Sequence, residues 1–230
     1  MDKVERAIAK VLAPTLKTQG FELRKNWGFF VRPQLYGHDA FLVVNQGTAS
    51  GKYFEINVYA EVRHDCVERP WNTLGFVYDL DEAQQQTWTL KINRPRSAPI
   101  LKVHPASIEA DIAAVAQEVE AFFVNTSLPF YRRFADLQEV EKLVNEKPLT
   151  ELMPYSAGGP LDHLAMRSLL LAKAVNPTRY VSVREAFLKS EKKTLFPREQ
   201  CLEMVKRIDE MAIQAIQETI QETPTPKSNK

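Results

Sequence analysis

The chain has 230 residues, of which 44% are hydrophobic and 26% are charged, close to the average for folded soluble proteins. This composition excludes a disordered, collagen-like or membrane-spanning chain, and the length suffices to bury a core without a disulfide or a metal. The formal net charge of +1 argues against the basic balance of nucleic-acid-binding proteins.

The compartment follows from the amino terminus and the cysteines. Residues 1–6 mix charges and no apolar run follows them, so we predict no signal peptide. Cys66 and Cys201 are too few for a disulfide framework, and no Cys or His spacing resembles a zinc site. We therefore expect a cytoplasmic protein that binds no metal or other cofactor and does not associate with membranes.

The first predicted element is a helix, closed by the left-handed residue that Gly20 can supply. Pro14, inside the last turn, predicts a kink or an early end. The helix is indicated by apolar residues at three- and four-residue steps, namely Val4, Ile8, Val11, Leu12 and Leu16.

The period then changes to two, which predicts strands over residues 28–34, 40–46, 53–63 and 87–92. The third is the clearest, because apolar and polar residues alternate along all of it. One face carries Phe54, Ile56, Val58, Ala60 and Val62, and the other carries Tyr53, Glu55, Asn57, Tyr59, Glu61 and Arg63. Such alternation is typical of antiparallel sheets with one face on a core. We predict an α+β fold in which helices pack on an antiparallel four-stranded meander.

A proline-punctuated connection over residues 93–105 leads into a helical half. Ser107 is the predicted N-cap of a helix that reaches Phe122. Further helices are predicted from Phe130 to Val144, from Leu164 to Val175, from the capping box Ser182–Glu185, and from Pro197 onward. We divide the chain into a sheet domain (residues 1–125), a helical C-terminal extension (126–222) and a disordered tail (223–230).

Few residues suggest catalysis. The stretch over residues 47–52 lacks the spacing of a phosphate-binding loop. His64 beside Asp65 and Arg63 leaves a hydrolase-like enzyme open as an alternative, although neighbouring residues on a strand point to opposite faces. Trp71 follows the predicted loop of residues 68–70 and either anchors it or contacts a partner.

The amino-terminal half resembles an uncharacterised family of bacterial domains of unknown function, over roughly residues 1–125. The resemblance rests on hydrophobic motifs: Leu16-Lys17, Gly20-Phe21, Phe30 with Arg32, residues 43–46, and residues 54–57. It implies a bacterial α+β domain without an established activity. Some such families look like immunity proteins against toxins, which is an analogy only.

The polar face of the third strand is the candidate partner-binding site, because it mixes tyrosines, an amide and both charges. An equally open alternative is that a second layer or cross-strand pairing simply covers this face. We predict a non-enzymatic protein-binding module, immunity- or adaptor-like, with a protein partner and no nucleic acid. Its candidate residues are Tyr53, Glu55, Asn57, Tyr59, Glu61 and Arg63.

Overall fold

The structure is a computed structural model that describes residues 2–24, 29–47, 51–74, 88–95, 97–147, 155–156, 161–189 and 197–211. Its first helix, α1, spans Lys3–Thr18 and begins with a capping box in which Asp2 and Glu5 bond each other's backbone N–H groups at 2.8 Å. The helix continues through Pro14, so the early end does not occur. Gly20 follows with φ of +80°, as predicted. Val11 is 53% exposed and does not belong to the buried stripe.

In the part of the chain that the structure describes, the sheet is antiparallel and has seven strands rather than four. They are β1 (Glu22–Arg24), β2 (Phe29–Gln34), β3 (Gly37–Asn45), β4 (Phe54–His64), β5 (Leu90–Asn93), β6 (Leu101–Val103) and β7 (Tyr155–Ser156). The first five are neighbours in chain order, which makes the predicted meander. Strands β1, β6 and β7 have only two or three residues, too few to show a period of two.

Strand β4 is the longest and lies between β3 on one side and two partners on the other. Its carboxyl-terminal half pairs with β5, with Glu61 opposite Lys91. Its amino-terminal half pairs with β6, with Glu55 opposite Lys102. The two partner strands therefore share one edge of β4 and leave a gap between them.

The alternation predicted for β4 places its apolar residues on the face that packs against helices. Ile56, Val58, Ala60 and Val62 are buried in the main core. We call this the inward face and the opposite one the outward face. A small apolar cluster of Phe29, Val31 and Ala40, flanked by Leu42, lies on the outward face of β2 and β3.

The helices that follow α1 are α2 (Asp65–Thr73), α3 (Ile108–Phe122), α4 (Leu128–Phe134), α5 (Leu137–Asn145), α6 (Leu161–Val175), α7 (Pro177–Lys189) and α8 (Arg198–Glu210). A π-helical turn at Phe123–Ser127 joins α3 to α4.

Several of these helices differ from the sequence prediction. The predicted loop at 68–70 lies inside α2, where Trp71 is buried. The single helix from Phe130 to Val144 is two, because Asp136 caps a new helix by accepting from the Gln138 N–H at 2.8 Å. Helix α7 begins at Pro177, before the capping box, because a proline suits the first helical turn. Ser107 occupies the N-cap position of α3, yet its hydroxyl accepts no hydrogen bond from the N–H groups of that helix and instead donates to Asp111 at 2.9 Å.

Helices α1, α3 and α4 cover the inward face, and one continuous core includes residues from both halves of the chain. Tyr131 of α4 donates a hydrogen bond from its hydroxyl to the Ala40 carbonyl at 2.6 Å. A second link joins the two halves of the chain: Arg167 of α6 forms two hydrogen bonds of 3.0 Å with Glu68 of α2. The domain boundary near residue 125 stays a prediction, and the tail at 223–230 lies outside the described residues.

Candidate functional site

The predicted site residues lie on the outward face of β4 and directly before it, and their side chains differ in exposure. Tyr53, Glu55, Asn57 and Tyr59 are half-buried, whereas Glu61 is only 8% exposed. The strand alternation accounts for their shared face. Strands β5 and β6 add their own outward side chains beside them, so the surface extends beyond a single strand.

Lys91 of β5 contacts two aromatic rings and a carboxylate in the part of this face near Glu61. The Lys91 ammonium nitrogen lies 4.0 Å from the ring centre of Tyr59 and 4.3 Å from that of Trp88. It also lies 3.5 Å from Oε1 of Glu61. Two aromatic faces and a carboxylate together favour a cation at this position. Lys91 thus occupies an aromatic cage built by its own chain.

Glu61 is incompletely satisfied in this arrangement. Among the described residues, its Oε1 has no hydrogen-bond partner apart from Lys91, which approaches to 3.5 Å. The buried Nε1 of Trp88 likewise has no acceptor within that part of the chain. Burial raises the pKa of Glu61 to about 7, and the nearby Lys91 charge opposes that shift only in part. The Tyr59 hydroxyl stays protonated, since burial and then the Glu61 and Glu55 charges raise its pKa.

The raised pKa of Glu61 predicts a pH-dependent stability. Between its ordinary value of 4.5 and about 7, the folded chain holds a proton that the unfolded chain has released. The free energy of unfolding therefore falls as the pH rises through this window, by roughly 3 kcal/mol at most. The glutamine side chain of Glu61→Gln does not titrate. The free energy of unfolding of the variant, relative to that of the wild type, should therefore rise by about 2–3 kcal/mol from pH 4.5 to pH 8.

Urea unfolding at the two pH values measures this gain. An effect of the substitution that does not depend on pH cancels in this comparison. Glu55→Gln on the same strand is the matched control, since that side chain is half-buried and lacks the Lys91 contact. An identical stability difference between wild type and Glu61→Gln at both pH values would show that the Glu61 carboxyl does not titrate in this window.

A cavity of about 260 Å³ opens in the gap between β5 and β6. Glu55, Asn57 and Tyr59 line it from β4, and Asn93 and Arg94 line it from the end of β5. The side-chain nitrogen of Asn57 is itself buried, and among the described residues it has no hydrogen-bond acceptor.

The two ends of the strand face are engaged within the chain. At one end, the Lys102 ammonium lies 4.5 Å from the centre of the Tyr53 ring, which is 6.0 Å from the His104 ring. At the other end, Arg63 donates from Nε to Asp65 at 2.8 Å. The middle of the strand, from Glu55 to Tyr59, differs from both ends because it borders the cavity.

The structure does not bring the residues of the enzyme alternative into a catalytic arrangement. His64 lies on the inward face, is 1% exposed and hydrogen-bonds from Nε2 to the Phe134 carbonyl at 2.8 Å. Because a carbonyl only accepts, Nε2 carries the proton. Burial lowers the pKa of His64 to about 4, so the ring stays neutral. Asp65 instead pairs with Arg63 and Arg69.

Sequence reasoning missed Lys91, Trp88, Asn93 and Arg94. The signal for Lys91 was present, because it lies between Leu90 and Ile92 and so takes the polar side of the predicted strand. Its partners required the register of β5 against β4, which local patterning does not contain.

Comparison with protein families, with curated proteins and with solved structures found no match to this chain. The resemblance to a bacterial family stays a prediction. Within the described ranges, no group of three or more His, Cys, Asp or Glu side chains could hold a metal ion. In that same part of the chain, no helix is both long enough and apolar enough to cross a bilayer.

Proposed function

We propose that the chain is a cytoplasmic, non-enzymatic protein-binding module, immunity- or adaptor-like, whose partner binds the outward face of β4. The observation that carries the proposal is the cavity bordered by Glu55, Asn57 and Tyr59 in the middle of that face. A half-buried tyrosine beside a cavity is typical of the centre of protein interfaces, where aromatic residues are enriched.

The surroundings of this cavity favour a protein partner over a large cofactor. Its volume of about 260 Å³ lies below the roughly 300–1,000 Å³ of pockets that hold drug-sized ligands. It matches a side chain of a partner better than a nucleotide or a flavin.

Affinity capture from the protein's own cells tests the proposal. Tagged wild type, Tyr59→Ala and the control Val11→Ser are purified in parallel, and the proteins that accompany them are quantified by mass spectrometry. Val11 is an exposed residue of α1, away from the sheet face. We expect one near-stoichiometric partner with wild type and the control, and at least roughly tenfold less with Tyr59→Ala, as for an aromatic residue central to an interface.

Melting temperatures separate binding from folding. The proposal requires that Tyr59→Ala loses the partner while its melting temperature stays close to that of the wild type. A partner retained by Tyr59→Ala would place the interface elsewhere. Parallel loss of binding and of thermal stability would mean that Tyr59 acts through the fold.

A further inference from the structure

We infer that the cavity between β5 and β6 is a binding site for the basic side chain of an arginine or lysine residue. The inference rests on the proposed function, in which that residue belongs to the protein partner. It concerns the charge and the apolar walls of the cavity, which point to the same kind of occupant.

The cavity contains an uncompensated negative charge. The Glu55 carboxylate lines it, and no described residue donates a hydrogen bond to that carboxylate or forms an ion pair with it. Lys102 is directly opposite in the strand register, but its ammonium lies over the Tyr53 ring. A half-buried carboxylate without a counter-charge favours a cationic ligand.

The cation that lines the cavity is already engaged. Arg94 donates to the Glu118 carboxylate at 2.9 Å and also to the Pro99 carbonyl. Its charge is therefore matched by Glu118 and does not neutralise Glu55. The cavity thus selects against an anionic ligand, which would meet Glu55 while finding Arg94 occupied.

The remaining walls match the other parts of a basic residue. Pro95 and Ile100 are exposed at the cavity and offer apolar surface to the methylene groups of an arginine or lysine. A basic residue thus supplies both a counter-charge for Glu55 and an apolar stem for these walls.

Titration of the full chain with blocked amino acids, followed by NMR of backbone and side-chain amides, tests the site without the partner. The probes are N-acetyl-arginine methylamide and N-acetyl-lysine methylamide, with N-acetyl-glutamine methylamide as the uncharged control. We expect saturable shifts of the Asn57 and Asn93 side-chain amides with both basic probes, at a Kd on the order of millimolar for ligands this small.

Two variants make the test specific. Glu55→Gln keeps the shape of the side chain and should weaken the basic probes at least roughly tenfold, since it removes the counter-charge. Glu22→Gln, on the exposed strand β1, should bind them like the wild type. The dispersion of the amide spectrum verifies that each variant is folded. Equal shifts from the glutamine probe, or unchanged affinity in Glu55→Gln, would overturn the inference.

The outcomes separate this inference from the proposed function. Basic probes that bind at Glu55, together with affinity capture that finds no partner, would support the cavity and remove the protein-binding role. A partner that depends on Tyr59, together with probes that do not bind, would leave the role intact and overturn the cationic cavity.

Discussion

Arg167→Met is expected to lower the free energy of unfolding by about 3–5 kcal/mol, the largest effect that we predict for a single change. The Arg167 and Glu68 side chains are 1% and 0% exposed, and the guanidinium also lies 4.6 Å from the centre of the Trp71 ring. The variant removes the charge of Arg167 from the buried Glu68 carboxylate. Chemical denaturation at neutral pH measures the loss.

A double-mutant cycle isolates the pair. Adding Glu68→Met to Arg167→Met should recover part of the stability, because two apolar side chains of similar volume replace a buried ion pair at little net loss. Lys189→Met is the control, since the Lys189–Glu185 pair is solvent-exposed and should matter by less than about 1 kcal/mol. A loss below about 1 kcal/mol for Arg167→Met would contradict the buried pair.

Asp39→Ala is expected to be nearly as damaging, at about 2–4 kcal/mol. The Asp39 side chain is fully buried on the inward face, where it accepts hydrogen bonds from Arg32 at 2.7 and 3.0 Å, from Gln34 at 2.8 Å and from the Tyr36 hydroxyl at 2.6 Å. The substitution leaves all these donors without an acceptor. The Arg32 side chain is 24% exposed, so water offsets part of the loss.

Thermal and denaturant unfolding of Asp39→Ala measure this loss, and Asp39→Asn tests its origin. The asparagine keeps one oxygen acceptor but not the charge, so we expect an intermediate loss of stability. Glu139→Ala removes the exposed pairs with Lys142 and Arg133 and should change stability by less than about 1 kcal/mol. If Asp39→Ala matched Glu139→Ala, the buried network would not stabilise the fold.

The α+β fold and its central strand could be predicted because their signals are local. The alternation along β4 assigned each residue to the correct face, and the apolar stripe around Ile8 and Leu12 marked α1. Strand β6 could not be predicted in the same way. It has three residues between Pro99 and Pro105, and pairing with β4 rather than its own pattern makes it a strand.

The candidate site shows the same limit. Its face was predictable from the spacing of Glu55, Asn57 and Tyr59, but the cavity was not. The cavity exists because β4 changes partners from β5 to β6, and these partners lie 28 to 49 positions away in the sequence. The burial of Glu61 likewise depends on long-range packing. Helix α2 was missed because Pro70 lies inside it and Glu68 lies on its buried side.

The central claim is that a protein partner covers the middle of the β4 face, and hydroxyl-radical footprinting of the captured chain tests it most directly. Oxidation of Tyr59 and Ile100 would be compared between the chain with its partner and the purified chain alone. We predict that the partner reduces oxidation of both residues severalfold and leaves Val181, which is exposed on α7, unchanged. Unchanged oxidation of Tyr59 and Ile100 in the presence of a bound partner would contradict the claim.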